Sequence, residues 1–143
     1  MMLVRDLMTR EPFTVAPDTS VTTARALMAV HRFRHLLVTE GGRLVGIVTD
    51  RDIRLSLPSP ATSLSVWEIN YLVERLTVAQ IMTRTVITID PERPARVAAR
   101  IMLDHQIGAL PVVATTDLVG ILTESDLVRA FAMSEEPVGA KER

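Results

Sequence analysis

The sequence contains the stretch Gly46-Ile47-Val48-Thr49-Asp50-Arg51-Asp52, and a second version, Gly120-Ile121-Leu122-Thr123-Glu124-Ser125-Asp126, follows 74 residues later. The same offset places Met8-Thr9-Arg10 on Met82-Thr83-Arg84, and the match needs no gap between residues 4 and 54. Such a repeat indicates that one structural unit is present twice. We call residues at this offset counterparts, and we expect two copies of any small site that the unit carries.

Each copy predicts a short strand, a helix, a β-hairpin and a second helix. Residues 13–15 and 87–89 are rich in β-branched residues and are soon followed by a proline, as is typical of a brief strand. Apolar residues at helical spacing then cover residues 21–31 and 95–105. Each of these helices is therefore expected to have one apolar face.

The hairpins are predicted to differ in their turns. Their strands are expected at residues 36–38, 44–48, 110–113 and 118–122. Gly41 and Gly42 favour a tight turn in the first hairpin because glycine adopts positive φ easily. Pro111 cannot donate a backbone hydrogen bond, so we expect it on an edge strand. The last helices are predicted to begin near Asp50 and Glu124.

The segment between the copies predicts a connecting helix. Pro58 and Pro60 interrupt any helix, and Ser65 and Glu68 then have the spacing of a capping box ahead of apolar residues that reach Leu76. We therefore divide the chain into a first repeat (1–56), a linker with a helix (57–77), a second repeat (78–132) and a polar tail (133–143) that is expected to fray.

Several conspicuous side chains favour structural roles. His31 and His105 are expected in the last turns of their helices, with metal ligation as the alternative. Trp67 and Tyr71 lie one helical turn apart and are expected to form an apolar face in a homodimer interface, with packing on their own chain as the alternative. Four methionines favour core positions over a methionine-rich binding surface: Met8, Met28, Met82 and Met102.

Composition limits the function classes. A chain of 143 residues suits one compact domain or two half-domains that share a core. A net charge of −1 and an aromatic content of 3% do not suit a nucleic-acid partner. The absence of cysteine excludes disulfides, thiolate nucleophiles and cysteine-rich zinc sites. Early charges at Arg5 and Asp6 and the lack of an apolar run of about 20 residues predict a cytoplasmic protein without a membrane partner.

These motifs resemble those of the CBS domain family. The resemblance rests on Met8-Thr9-Arg10 ahead of Thr14 and Pro17, on Arg34-His35-Leu36-Leu37-Val38, and on the duplicated Gly-x-x-Thr-x-x-Asp stretch. It implies an α/β (α+β) fold in which two β-α-β-β-α repeats pack with pseudo-two-fold symmetry, with a connecting helix in addition. Residues 67–72 are further similar to the bacterial acetoin-utilisation type of CBS protein.

The resemblance also implies a ligand. Members of the family commonly bind AMP, ADP, ATP or S-adenosylmethionine in clefts between two repeats. Carried over to this sequence, Thr49 and Asp52 would hold one ligand, and Thr123 and Asp126 another. The usual proline is replaced by Leu37 in the first copy. Further candidate contacts are Thr14, Thr88, Gly46, Gly120, Leu110 and Pro111, the last of which keeps the usual proline.

The Thr-x-x-Asp pairs suit a nucleotide chemically. An ionised Asp52 or Asp126 could accept hydrogen bonds from both ribose hydroxyls. The threonine hydroxyl and the free N–H groups of the helix that it opens could reach phosphate. Gly46 and Gly120 lack a Cβ and so allow close approach of another backbone or of a purine. The alternative is that each pair only caps its own helix, since the spacing nearly matches a capping box.

Arg34, His35 and Arg51 add positive charge to the first copy, where the second has uncharged counterparts. A phosphate-rich ligand such as ADP or ATP would benefit from these cations, the alternative being that the arginines are solvated surface charges. His35 could titrate near neutral pH and make binding pH-sensitive, the alternative being a simple hydrogen-bonding role.

The resemblance thus implies a regulatory adenine-nucleotide sensor of the energy-sensing type that requires no cofactor. Its ligand would alter the packing of the two repeats and so modulate an unidentified partner or the chain's own homodimer. The alternative is a ligand-free dimerisation scaffold in which the Thr-x-x-Asp pairs act only as caps. We expect no enzymatic activity, because the sequence contains no nucleophile elbow, His-Glu-x-x-His or P-loop motif.

Overall fold

A computed structural model describes residues 1–59 and 61–134 and contains the predicted helices and hairpins in the predicted order. It also contains short elements at residues 4–7, 9–10 and 78–81 that the sequence did not predict. The helices are α1 (Val4–Leu7), α2 (Val21–His31), α3 (Asp50–Ser56), α4 (Val66–Arg75), α5 (Val78–Ile81), α6 (Ala95–His105) and α7 (Glu124–Ala132). The strands are β1 (Thr9–Arg10), β2 (Thr14–Val15), β3 (His35–Glu40), β4 (Arg43–Thr49), β5 (Ala109–Ala114) and β6 (Asp117–Thr123). The predicted α/β (α+β) class is confirmed, whereas the tail beyond residue 134 lies outside the described residues.

Local chemistry explains where the helices begin and end. The connecting helix α4 starts at the predicted capping box, in which the Glu68 N–H donates to Ser65 Oγ at 3.2 Å and the Ser65 N–H donates to Glu68 Oε1 at 3.0 Å. Helices α2 and α6 both end at a residue in the left-handed conformation, Arg32 (φ 59°) and Gln106 (φ 54°). No helix among the described residues is long and apolar enough to span a membrane.

The strands form two three-stranded sheets, with the orders β2-β3-β4 and β1-β6-β5. In the first sheet β2 pairs in parallel with β3, which forms the predicted hairpin with β4. In the second copy the strand predicted at residues 87–89 is reduced to one parallel bridge between Ile89 and Val112. Pro111 lies on β5, the outer strand of the order β1-β6-β5, but Ile89 covers this edge. The Ile89 N–H donates to the Pro111 carbonyl at 3.1 Å, and the Ile89 carbonyl accepts from the Val113 N–H at 2.9 Å.

The two repeats exchange their N-terminal segments. Thr9 of β1 pairs with Ile121 of β6 in the second repeat, and its counterpart Thr83 bridges to Ile47 of β4 in the first. The exchange also carries apolar residues into the core of the other repeat, since Val4 lies in the core of the second repeat. Because the core of each repeat is completed from outside its own sequence copy, the two repeats are expected to depend on each other for stability.

Each repeat has its own hydrophobic core between its sheet and helices. The predicted core positions of the methionines are confirmed, since Met28, Met82 and Met102 are buried and Met8 packs against the second core. The first core also contains Val15, Val21, Ala24, Leu36, Val38, Val48, Ile53 and Val78. The second also contains Val4, Ile89, Ala98, Leu110, Val112 and Leu122.

Gly46 and Gly120 lie where the exchanged segments cross the hairpins. A Cβ on Gly120 would come within 2.7 Å of the Thr9 carbonyl oxygen. A Cβ on Gly46 would come within 2.5 Å of Met82 Sδ and 3.1 Å of the Thr83 carbonyl oxygen. The close neighbour at Gly120 is thus the Thr9 backbone, and at Gly46 it is the Met82 side chain together with the Thr83 backbone.

Candidate functional site

A cavity of about 640 Å³ lies where the two repeats meet, and we call it the α7 cleft. One wall comes from Phe13 and from residues 31–35, between α2 and β3. The other comes from Gly108, from residues 123–126 at the start of α7 and from Arg129 one turn further along. Pockets for small ligands commonly have volumes of about 300–1,000 Å³, so the cleft could hold a nucleotide.

The α7 cleft brings together four predicted residues from both repeats: Thr123 and Asp126 from the second, Arg34 and His35 from the first. The sequence assigned the two cations to the first copy, and the structure sets them against the Thr-x-x-Asp pair of the second. The cause is the packing of the repeats, which turns the start of β3 toward the start of α7.

The Thr123–Asp126 pair forms a complete helix cap. The Thr123 N–H donates to Asp126 Oδ2 at 2.9 Å, and the Asp126 N–H donates to Thr123 Oγ1 at 3.3 Å. The Thr123 hydroxyl lies 3.1 Å from Oδ2, and Arg129 Nη1 donates to Oδ1 at 3.2 Å. A carboxylate oxygen accepts about two hydrogen bonds, so at Oδ1 the carboxylate keeps acceptor capacity for a ligand hydroxyl.

The Thr49–Asp52 pair forms the same cap at the start of α3. The Thr49 N–H donates to Asp52 Oδ2 at 2.9 Å, and the Asp52 N–H donates to Thr49 Oγ1 at 3.0 Å. The adjacent Arg51 is exposed, with no side-chain hydrogen bond or ion pair to any described residue. The capping role that the sequence offered as an alternative is therefore present at both pairs, whether or not a ligand also binds there.

His35 lies between the two repeats. It is opposite Thr49 in the β3–β4 register, and its ring lies 3.5 Å from where a Cβ on Gly108 would be. Burial lowers the pKa of His35 below its usual value of 6.5, although the carboxylates of Asp50 and Glu124 act in the opposite direction. The neutral imidazole is therefore the favoured form at neutral pH, and it can both donate and accept a hydrogen bond in the cleft.

An aromatic cluster that was not predicted from the sequence lies on the wall of the α7 cleft. The ring of His31 lies 4.9 Å from that of Phe13 and 5.2 Å from that of Phe33, and the two phenylalanine rings are 6.1 Å apart. His31 does end α2, as predicted. Comparison of the copies could have revealed this surface, because Ile87 and Ile107 are the counterparts of the phenylalanines.

Several charged residues of the cleft were also not predicted as site residues. Glu11, Arg32, Glu124 and Arg129 line it in addition to the predicted residues. Arg129 binds Asp126, whereas Arg32 and Arg34 form no ion pair or side-chain hydrogen bond with any residue of the ranges 1–59 and 61–134. Two arginines thus line the cleft without a carboxylate of the described residues within ion-pair distance.

Four other predicted contacts lie elsewhere. Thr14 is exposed on β2, and Thr88 lines a separate cavity of about 320 Å³ together with Arg43. Leu110 lies in the second core, and Pro111 is also buried. None of these four is among the residues that line the α7 cleft.

His105, like His31, lies in the last turn of its helix, as predicted. In the part of the chain that the structure describes, no three His, Asp or Glu side chains are grouped so that they could hold a metal ion. The ring of His31 packs against those of Phe13 and Phe33.

Comparison with known proteins identifies the family. The family model for the CBS domain matches residues 4–59 and residues 78–133. The chain belongs to the CBS domain family. Its two repeats form a tandem CBS pair, as the duplicated motifs predicted.

Relatives include proteins of similar length and larger enzymes. The CBS domain-containing protein YhcV of Bacillus subtilis is 31% identical over 140 residues, which cover 98% of this chain and 92% of that protein. The homoserine O-acetyltransferase of Methanocorpusculum labreanum is 38% identical over 128 residues, but these cover 23% of the enzyme. CBS pairs similar to this one therefore occur both as most of a protein and as a small part of an enzyme.

Three solved structures have the same fold. The AcuB protein of Vibrio cholerae, assigned to acetoin utilization, is 32% identical, with a TM-score of 0.77 over 92% of this chain and 91% of that chain. The CBS pair of MJ0100, in complex with 5′-methylthioadenosine and S-adenosyl-L-methionine, is 30% identical, with a TM-score of 0.77 over 92% and 97%. CBSX2 in complex with AMP is 30% identical, with a TM-score of 0.75 over 92% and 97%.

Proposed function

We propose that this CBS pair is a regulatory module that binds an adenosine-containing ligand in the α7 cleft. The observation that carries the proposal is the cavity in which Thr123 and Asp126 of one repeat meet Arg34 and His35 of the other. The complexes of MJ0100 with S-adenosyl-L-methionine and of CBSX2 with AMP support this ligand class. Thr49 and Asp52 are the candidate residues of a second site.

The chemistry of the cleft suits the three parts of a nucleotide. The carboxylate of Asp126 is fixed by its cap, and it can accept hydrogen bonds from ribose hydroxyls. The rings of Phe13 and Phe33 provide an apolar surface on which a purine can stack. The guanidinium groups of Arg32 and Arg34 can bind phosphate.

The position of the cleft suits regulation. Both repeats contribute walls, so a bound ligand contacts both and favours the arrangement in which these contacts are best. The change would reach a partner protein or a second copy of this chain. The exposed face of α4 is the candidate surface for the second copy, because Trp67 and Tyr71 are 83% and 56% exposed and therefore pack little on their own chain.

The test is calorimetric titration of ligand-stripped protein with AMP, ADP, ATP and S-adenosylmethionine. We expect saturable binding that is lost in Asp126→Ala, because the ribose loses its acceptor. Asp126→Asn keeps an oxygen for the helix cap but has a single acceptor oxygen, so it should also bind more weakly while it folds normally. The matched variant Asp52→Asn then reports whether the equivalent pair at α3 holds a second ligand. Undiminished binding in both Asp126 variants would contradict the proposal.

The second candidate function is a ligand-free dimerisation scaffold. It is favoured by the observation that both Thr-x-x-Asp pairs satisfy their own helix starts. It predicts no heat of binding from any of the four ligands, together with a dimer that Trp67→Ala or Tyr71→Ala converts to monomer. Size-exclusion chromatography with light scattering measures the dimer, and a saturable titration would contradict the scaffold.

A further inference from the structure

The two Thr-x-x-Asp pairs have the same cap but different surroundings. In the α7 cleft Arg32 and Arg129 are present, and their counterparts are Gln106 and Leu55. The start of α3 keeps one arginine of its own, Arg51, whose counterpart is Ser125. The difference at Arg32 is the more informative one, because its side chain lines a cavity and has no carboxylate partner among the described residues.

The backbone at Arg32 does not explain why an arginine is there. Arg32 ends α2 in the left-handed conformation, and its N–H donates to the Met28 carbonyl. Gln106 ends α6 with nearly the same φ, so an uncharged side chain of similar length serves the cap equally well. Glycine is the residue that such a position usually favours. The guanidinium group of Arg32 is therefore not required by the helix end and is available to contact a ligand in the cleft.

The other charges of the cleft fix where an anion could lie. Asp126 is paired with Arg129, and Glu124 lies beside His35, near Gly108. Glu11 also lines the cleft, so a polyanion is favoured beside Arg32 and Arg34, which have no ion pair with the described residues, over positions beside the carboxylates. A guanidinium group suits this task because its planar donors match two phosphate oxygens at once.

We infer that the α7 cleft selects its ligand by the phosphate chain and that Arg32 is the residue that determines this specificity. The inference rests on the proposed function, since it assumes that an adenosine compound occupies the cleft. Affinity rises from adenosine through AMP and ADP to ATP, because each phosphate adds negative charge beside Arg32 and Arg34. S-adenosylmethionine, which carries a positive sulfonium group and no phosphate, binds more weakly than ATP.

The experiment compares Arg32→Gln with the wild-type chain. Gln is the residue that the second repeat tolerates at this backbone conformation, so the variant is expected to fold. Arg100→Gln is the matched control, because Arg100 is exposed on α6, lies outside the cleft and makes no ion pair with the described residues. Adenosine, AMP, ADP, ATP and S-adenosylmethionine are titrated into all three proteins, at low and at high sodium chloride.

We expect Arg32→Gln to lower the affinity for ATP by at least about tenfold, as for a lost hydrogen bond between charged groups. Adenosine affinity should stay the same in all three proteins, and Arg100→Gln should bind ATP like the wild type. Higher salt should lower the affinity for ATP but not the affinity for adenosine, because salt screens the interaction between the phosphates and the arginines.

Three results would overturn the inference while leaving the proposed function intact. The first is an equal affinity for adenosine and ATP, and the second is that S-adenosylmethionine binds more tightly than the other compounds. The third is that Arg32→Gln lowers the affinity for adenosine as much as that for ATP, which would indicate a structural role for Arg32. If none of the five compounds binds the folded wild-type chain, the proposed function and the inference both fail. Circular dichroism of the same samples establishes that each protein is folded.

Discussion

The starts of α3 and α7 carry the same motif in different environments. Both have a threonine that caps the helix and an aspartate that returns a hydrogen bond to it. At α7 the other repeat supplies a wall with Arg34, His35 and an aromatic cluster, and the result is a cavity of about 640 Å³. The motif therefore determines the cap, whereas the residues opposite the motif determine what can bind there.

The largest effect is expected where the exchanged segments cross the hairpins. Gly120→Ala should lower the free energy of unfolding by about 1–3 kcal/mol, because the new Cβ would meet the backbone oxygen of Thr9 at 2.7 Å. Gly46→Ala should cost less, since its shortest contact is with the flexible side chain of Met82 and the nearest backbone oxygen lies 3.1 Å away. Urea denaturation of both variants measures the difference.

Gly42→Ala provides a control for these two variants. Gly42 has a φ of 81° and open space around its Cα, so its replacement reports backbone strain without a steric clash. If Gly46→Ala and Gly120→Ala lose the same free energy of unfolding, the two crossings are equivalent, and the contrast between a backbone contact and a side-chain contact does not hold.

A middle-sized effect is expected at the caps. Thr49→Ala and Thr123→Ala should each lower the free energy of unfolding by about 0.5–2 kcal/mol, because the N–H of Asp52 or Asp126 loses its acceptor. The conservative variants Thr49→Ser and Thr123→Ser keep the hydroxyl and should stay close to the wild type. Thermal unfolding without ligand compares the four proteins. A large loss at one threonine and none at the other would show that the two caps are not equivalent.

The smallest effect concerns pH and contrasts His35 with its counterpart Ala109. Folding lowers the pKa of His35 through burial, so the unfolded chain takes up the proton at a higher pH than the folded chain does. His35 therefore stabilises the fold above its usual pKa of 6.5, and this contribution is lost as the pH falls through the lower folded pKa. His35→Ala should remove that part of the pH dependence.

The measurement is urea denaturation of the wild type and of His35→Ala between pH 7.5 and pH 5. The free energy of unfolding of the wild type should fall more than that of the variant over this range. A parallel fall in both proteins would indicate that the carboxylates near His35 offset its burial. His105→Ala is the control, because His105 is exposed at the end of α6.

Local sequence patterns predicted the elements well because they depend on neighbouring residues. The backbone N–H groups at the starts of α3, α4 and α7 find their side-chain acceptors within four residues, at Thr49, Ser65 and Thr123 and their partners. Spacing alone therefore indicates where these helices begin. The strand at residues 87–89 was predicted less well, since pairing depends on the partner segment and leaves only the bridge at Ile89.

The cleft was predicted in part. The sequence identified Thr123, Asp126, Arg34 and His35, but it did not place them in one cavity, and it missed Phe33 and Arg32. These two residues follow the end of α2 and carry no motif of their own, so their spacing gave no signal. Comparison with their counterparts Ile107 and Gln106 would have singled them out.

Four features could be predicted from the amino-acid sequence alone: the duplication, the mixed α/β class, the caps of α3, α4 and α7, and the CBS family. Each follows from local spacing or from the constant offset between the copies. Two features became visible only in the folded chain: the exchange of the N-terminal segments and the position of Arg34 and His35 opposite the Thr123–Asp126 pair. These features depend on how one repeat packs against the other, and contacts over such distances along the chain leave no periodic pattern in the sequence.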